Sequence, residues 1–101
     1  MTYFKLEESA SRPNWFIIMP VHERISKFFK TPFEGSYSVL GARLLGLTYS
    51  KYLRFLRDVI GADVVGKNSM YPVAYLKKTE EAQMLVRLLD KRMEAIDKNY
   101  E

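Results

Sequence analysis

Cysteine is absent from the 101 residues, which excludes disulfides and thiolate metal sites and leads us to expect a cytoplasmic protein. Histidine occurs once, at His22 beside Glu23, whereas a catalytic metal centre needs several converging ligands. Composition alone leaves a Ser-His-Asp set open, but the chain has no Gly-x-Ser-x-Gly elbow and no glycine-rich phosphate loop. Catalysis, metal binding and an organic cofactor are therefore not expected. Long apolar runs are missing too. The best, residues 15–19, stops at Pro20, far short of the roughly 18 residues that a membrane span requires. The first residues include a lysine but no apolar core of a signal peptide, so neither secretion nor membrane association is expected.

What is present suits one globular domain spanning residues 1–101, with 48% hydrophobic residues and a net charge of +4. The charge is unevenly placed. Residues 36–78 hold seven basic side chains (Arg43, Lys51, Arg54, Arg57, Lys67, Lys77 and Lys78) and two acidic ones, Asp58 and Asp63. The rest of the chain holds nine basic and ten acidic residues, so the whole positive excess falls in that segment. A basic face attracts phosphate by releasing condensed counterions, and it also serves simply to solvate a surface.

The periodicities order the chain. Residues 2–8 read as a short edge strand or an ordered arm, followed by a Ser-Ala-Ser-Arg-Pro-Asn loop. Residues 15–19 are rich in strand formers. Pro20 suits the first turn of a helix, and Val21, Ile25, Phe28 and Phe29 continue at helical spacing, which predicts a first helix over 20–30. Ser38 reads as the cap of a second helix that runs to about Leu45 and stops at Gly46. A third, capped by Thr48, continues to about Ile60, with Gly61 as its stop. Strand-like pieces at 63–65 and 71–76, joined through Gly66-Lys67-Asn68-Ser69, predict a hairpin, with Pro72 at an edge. Thr79 then caps a long helix over 79–99 that opens on Glu80 and Glu81.

Residues 38–57, with the small Ala42 at a helix contact and Gly46 at the turn, resemble a helix-turn-helix. Helix, helix, helix, hairpin, helix is the order of the winged helix-turn-helix family of DNA-binding proteins, whose hairpin forms a wing against the DNA. The resemblance covers 36–78. It implies a mainly α fold with a small β-hairpin and a long C-terminal helix over 79–99. It also implies binding of double-stranded DNA by a small transcriptional regulator, compatible with a phage or mobile-element origin. Carried onto this chain, Leu45, Leu47, Tyr52, Phe55 and Leu56 face inward, and Thr48, Tyr49, Ser50, Leu53, Arg54 and Arg57 face outward. Thr48, Tyr49 and Ser50 offer hydroxyls at a helix start, Lys51 a phosphate contact, and Arg54 and Arg57 a fork for guanine. A surface pair of Arg54 with Asp58 competes with that role. Lys67 and Asn68 are the wing contacts. Leu53 breaks the pattern, because sliding the helix by one residue buries Leu53 and exposes Tyr52.

Two rival readings stay open. The aromatic content of 14% admits single-stranded binding by stacking, for which Tyr49, Tyr71 and Tyr75 are the candidates, although most of the aromatics fall at core spacing. Alternatively, the scaffold is a protein-interaction adaptor or inhibitor that does not bind DNA. Along the last helix Ala82, Leu85, Val86, Leu89, Met93 and Ile96 form one apolar stripe, widened by Met84 and Leu88. Its length exceeds the apparent need of a small core, which predicts a homodimer through this helix; packing back on residues 15–19 is the alternative.

Overall fold

The computed structural model describes residues 2–21, 37–66 and 73–99. The helix expected over 20–30 lies almost wholly outside them, as do the wing residues Lys67 and Asn68. Pro20 itself is described, and it ends a strand. The chain opens with β1 (Phe4–Glu8) and β2 (Phe16–Pro20), an antiparallel ribbon pairing Phe4 with Pro20 and Glu8 with Phe16. Proline has no N–H to give to the ladder and is tolerated at a strand end. The next residue restores the pairing, as Val21 N–H donates to Tyr3 O at 2.8 Å. Between the strands, Asn14 adopts φ 69 and its N–H donates to Glu8 Oε2 at 2.8 Å, fixing the loop. This ribbon makes the fold mixed α/β rather than mainly α: the described residues form three α-helices, a small antiparallel hairpin and a second pair of strands.

α1 (Tyr37–Leu45) starts before Ser38, so Ser38 lies inside the helix and is not its cap. Its end follows expectation. Gly46 takes φ 68, Leu47 N–H reaches back to Ala42 O at 2.9 Å, and Gly46 N–H reaches Arg43 O at 3.2 Å. This paired closure satisfies carbonyls that the helix end would leave open, and it needs a residue free to be left-handed. α2 (Tyr49–Phe55) begins two residues later, with Thr48 Oγ1 accepting from Lys51 N–H at 3.2 Å. Its continuation, Leu56–Ile60, widens into a π-type turn ended by Gly61 at φ 81. Gly61 N–H and Ala62 N–H both return to Leu56 O, the latter at 2.8 Å. This closure is one residue wider than the one at Gly46, a departure that the hydrophobic spacing gave no sign of.

The two helices meet through glycine. A Cβ on Gly41 would fall inside the Tyr52 side chain, 2.7 Å from its Cε2 and nearer still to Cζ and the hydroxyl. Ala42 is also buried, as the sequence reading required, but the closest approach is one residue earlier. Tyr52 and Leu53 are both buried, so the one-residue register question dissolves: each lies on the inward face, and Leu53 does not point out.

β3 (Asp63–Val65) and β4 (Val73–Tyr75) form the expected hairpin. It is tied to the N-terminal ribbon. Phe16 and Leu76 exchange backbone hydrogen bonds at 2.7 Å each, joining the start of β2 to the residue after β4. α3 (Glu80–Asn99) follows, its first turn held by Ala82 N–H donating to Thr79 Oγ1 at 3.2 Å. It lies against β1 and α1. Ala82, Leu85, Leu89 and Met93 are buried among Tyr3, Phe4, Ile18, Leu44, Leu53, Leu56 and Leu76.

The stripe on α3 is therefore used within the chain over nearly its whole length. Asp90 Oδ1 accepts the N–H groups of both Tyr3 and Phe4 at 2.9 Å. Near the helix end, the buried Asp97 accepts from the Tyr3 hydroxyl at 2.7 Å. The surplus of apolar helix that pointed to a dimer is absent, because those turns pack on β1. Only Met84 and Leu88 of the stripe are exposed.

Two stability tests follow from these contacts. Gly41→Ala gains helix propensity of about 1 kcal/mol, but it forces a methyl into a fixed aromatic ring. The clash wins, and a net loss of about 2 kcal/mol is expected, read as a fall in Tm of roughly 8–16 °C. Asp90→Ala strands two backbone donors that were bonded to a charge; a loss of about 2–4 kcal/mol is expected, with faster amide exchange at Tyr3 and Phe4.

Candidate nucleic-acid interface

On α2 and its wide last turn the exposed residues are polar or charged except for Val59, which is 60% exposed. Tyr52, Leu53 and Leu56 are buried, whereas Ser50, Lys51, Arg54, Arg57 and Asp58 are exposed. Positions four apart share an α-helix face, so Ser50 and Arg54 line up with Lys51 beside them, and Arg57 and Asp58 follow, exposed, on the wider turn. The helix buries one side against α1 and the core, and it turns its cations outward.

Not every residue expected at this face belongs to it. Thr48 is exposed, but its hydroxyl oxygen serves as the cap of α2. Tyr49 is half-buried. Its hydroxyl is shut away from solvent with no hydrogen-bond partner among the described residues, and burial raises its pKa. It packs against the core, which removes it from the outward set. Leu53 is removed for the same reason. Ser50, Lys51, Arg54 and Arg57 remain.

The competing pair of Arg54 with Asp58 does not form. Asp58 instead accepts from its neighbour, Arg57 Nε, at 3.1 Å, and both side chains are about half exposed. Such a surface pair is worth about 0–1 kcal/mol and is weakened further by salt, so it does not hold Arg57 against a phosphate. Arg54 and Lys51 have no acidic partner among the described residues.

A second cationic group assembles where the ribbon loop meets the hairpin, and it adds Arg12 and Trp15 to Lys77 and Lys78. The Arg12 guanidinium lies 4.2 Å from the centre of the Trp15 ring and 4.7 Å from that of Tyr75. Its Nη2 donates to Asp63 Oδ2 at 2.7 Å. Lys77 Nζ sits 4.1 Å from the centre of the Trp15 ring and donates to Asn14 O at 3.4 Å. Lys78 Nζ lies 5.8 Å from the Phe16 ring. Each contact of this type contributes about 0.5–1 kcal/mol at an exposed site. Tyr75, a stacking candidate on sequence grounds, thus already has Arg12 on its ring. Arg12 is 51 residues from Asp63 and more than 60 from Tyr75 and Lys77, which is why periodicity within any one segment missed the cluster.

No family model, curated protein or solved structure matches this chain. Among the described residues no three or more His, Asp or Glu side chains are placed to hold a metal ion. None of the described helices is long and apolar enough to cross a membrane.

Tyr52, which sets the contact of α2 with α1, has its pKa pushed well above the ordinary 10.0 by burial. The folded state binds this proton more tightly than the unfolded state does. Its stabilising effect is therefore complete below pH 10 and is lost as pH rises toward the folded value. Denaturant midpoints are expected to fall between pH 10 and pH 12, and Tyr52→Phe is expected to lessen that slope.

Proposed function

We propose that this chain is a winged helix-turn-helix protein that binds double-stranded DNA, with α2 as the helix that enters the major groove. The observation that carries this reading is the face of Ser50, Lys51, Arg54 and Arg57. It is exposed, basic and continuous, on a helix whose opposite side is buried against α1. The Gly46 turn between α1 and α2, and a hairpin directly after α2, stand in the order that the family uses. On this reading Arg54 and Arg57 address base edges or phosphates, Lys51 a phosphate, and Ser50 a phosphate near the helix start. The role is that of a small transcriptional regulator acting by occupancy of its site. A homodimer through α3 has lost its main support, because the chain itself covers the stripe, and the unit proposed is a single copy.

One observation favours a second reading, a protein-interaction adaptor. Met84 and Leu88, four apart on α3, are 57% and 40% exposed. Two side chains make a small patch, well below the roughly 800 Å² per partner of a stable interface, so this reading ranks second.

The two separate on binding to random-sequence duplex DNA across a salt series. The DNA reading expects affinity that falls linearly in log–log form as salt rises. Arg54→Ala with Arg57→Ala is expected to weaken binding at least tenfold and to lower the slope by about 1.8, from two phosphate-neutralising contacts. No binding at low salt removes the DNA reading. Unchanged affinity in the double variant removes α2 as its interface.

A further inference from the structure

We infer that the Arg12–Trp15–Lys77–Lys78 cluster is a second contact for duplex DNA, gripping the phosphate backbone beside the hairpin. The inference rests on the DNA reading above and adds to it a patch built from the N-terminal loop, outside α2 and the wing tip.

The geometry prepares cations for phosphate while leaving their donors free. Guanidinium donors lie in the plane of the group, so rings stacked on its faces leave its edge open. Arg12 has Trp15 and Tyr75 over its guanidinium, and only the bond to Asp63 occupies a donor among the described residues. Lys77 has three N–H donors, of which one reaches Asn14 O at 3.4 Å, and it has no acidic partner among the described residues. Lys78 is exposed with none either. Long cationic side chains normally lose rotamer freedom when they grip an anion. Here the Trp15 ring already orders Lys77, so less is lost on binding.

The backbone beneath is equally fixed. The bonds between Phe16 and Leu76 hold the residue just before Lys77, and Asn14 at φ 69 turns the loop so that its carbonyl meets Lys77. The cluster brings together three cations, and the two carboxylates beside it, Asp63 and Glu8, are bonded to Arg12 and to Asn14 N–H, so a positive excess remains for a polyanion. The aromatic rings already carry cations, so the partner they fit is a phosphodiester backbone rather than a stacked base.

Trp15 is the only tryptophan in the chain, so its emission reports this site alone. Titration of the full chain with random duplex DNA is expected to change Trp15 emission as phosphate approaches the ammonium seated on its ring. Lys77→Gln with Lys78→Gln loses two ring contacts and is expected to lower Tm by roughly 4–16 °C while the chain stays folded, to weaken DNA binding about tenfold and to lower the salt slope by about 1.8. It is also expected to abolish the emission change at saturation. Lys77→Arg with Lys78→Arg should restore affinity and slope. The Arg54 and Arg57 double variant should keep the emission change, at higher DNA concentration.

Wild-type affinity and slope in the glutamine variant overturn this contact while leaving α2 as the interface. Absence of any wild-type DNA binding takes down both readings. An emission change produced equally by inorganic phosphate at the same ionic strength makes this an ion site and overturns the duplex assignment. Tighter binding to single-stranded oligothymidine than to duplex, lost in the glutamine variant, overturns it as well.

Discussion

Everything about the orientation of α2 depends on the Tyr52 ring lying on the bare backbone of Gly41. A side chain at 41 would hold the helices apart by the width of a methyl group, and packed interiors do not absorb such a gap cheaply. With the ring seated there, Leu53 and Leu56 enter the core and the helix has no rotational freedom left. The direction in which Arg54 points is thus fixed by a glycine thirteen residues away in sequence. Helix propensity contributes little, because an isolated seven-residue helix is not stable in water. Packing makes α2, and the same packing aims it.

The second constraint is the seam between the N-terminal ribbon and the rest of the chain. α3 holds β1 at two heights, through Asp90 on the backbone and Asp97 on the Tyr3 hydroxyl. β2 holds the hairpin through Phe16 and Leu76. Both carboxylates sit on the apolar side of α3, where an unpaired charge would be expensive, and both find donors there. The ribbon therefore links the longest helix to the hairpin and gives the loop carrying Arg12 and Trp15 its fixed place.

How much of this was legible from sequence follows from the range of each interaction. Gly46 and Gly61, the caps Thr48 and Thr79, and the strands around Asp63 and Val73 were readable, because turn and cap chemistry acts over a few residues. The stripe on α3 was readable too, but its partner was not. Ala82, Leu85, Leu89 and Met93 call for apolar cover without saying whose, and β1 provides it from the other end of the chain. Pro20 misled because it suits a helix start and a strand end equally. Leu53 misled because the outward face was carried over from a family pattern, whereas the actual inward face is broad enough for Tyr52 and Leu53 together. Tyr49 misled for the same reason. Gly41 went unnoticed beside Ala42, since both are small and only the fold distinguishes the closer one.

The acidic residues decide which cations are left for a polyanion. Asp58 takes Arg57 and Asp63 takes Arg12, while Lys51, Arg54, Lys77 and Lys78 have no carboxylate among the described residues. The two pairs are unequal. Arg57 with Asp58 joins adjacent, half-exposed residues at 3.1 Å, a contact that salt screens and a phosphate displaces at little cost. Arg12 with Asp63 is shorter, at 2.7 Å, and its guanidinium is also stacked by two rings, so it stays in place when an anion approaches. The net charge of +4 thus understates the local field, because Asp90 and Asp97 on α3 are turned to Tyr3 and Phe4, and Glu80 and Glu94 pair with Arg87 and Lys98 of their own helix. Arg54 is held out by a helix face and Lys77 by an aromatic ring, and the same kind of anion suits both.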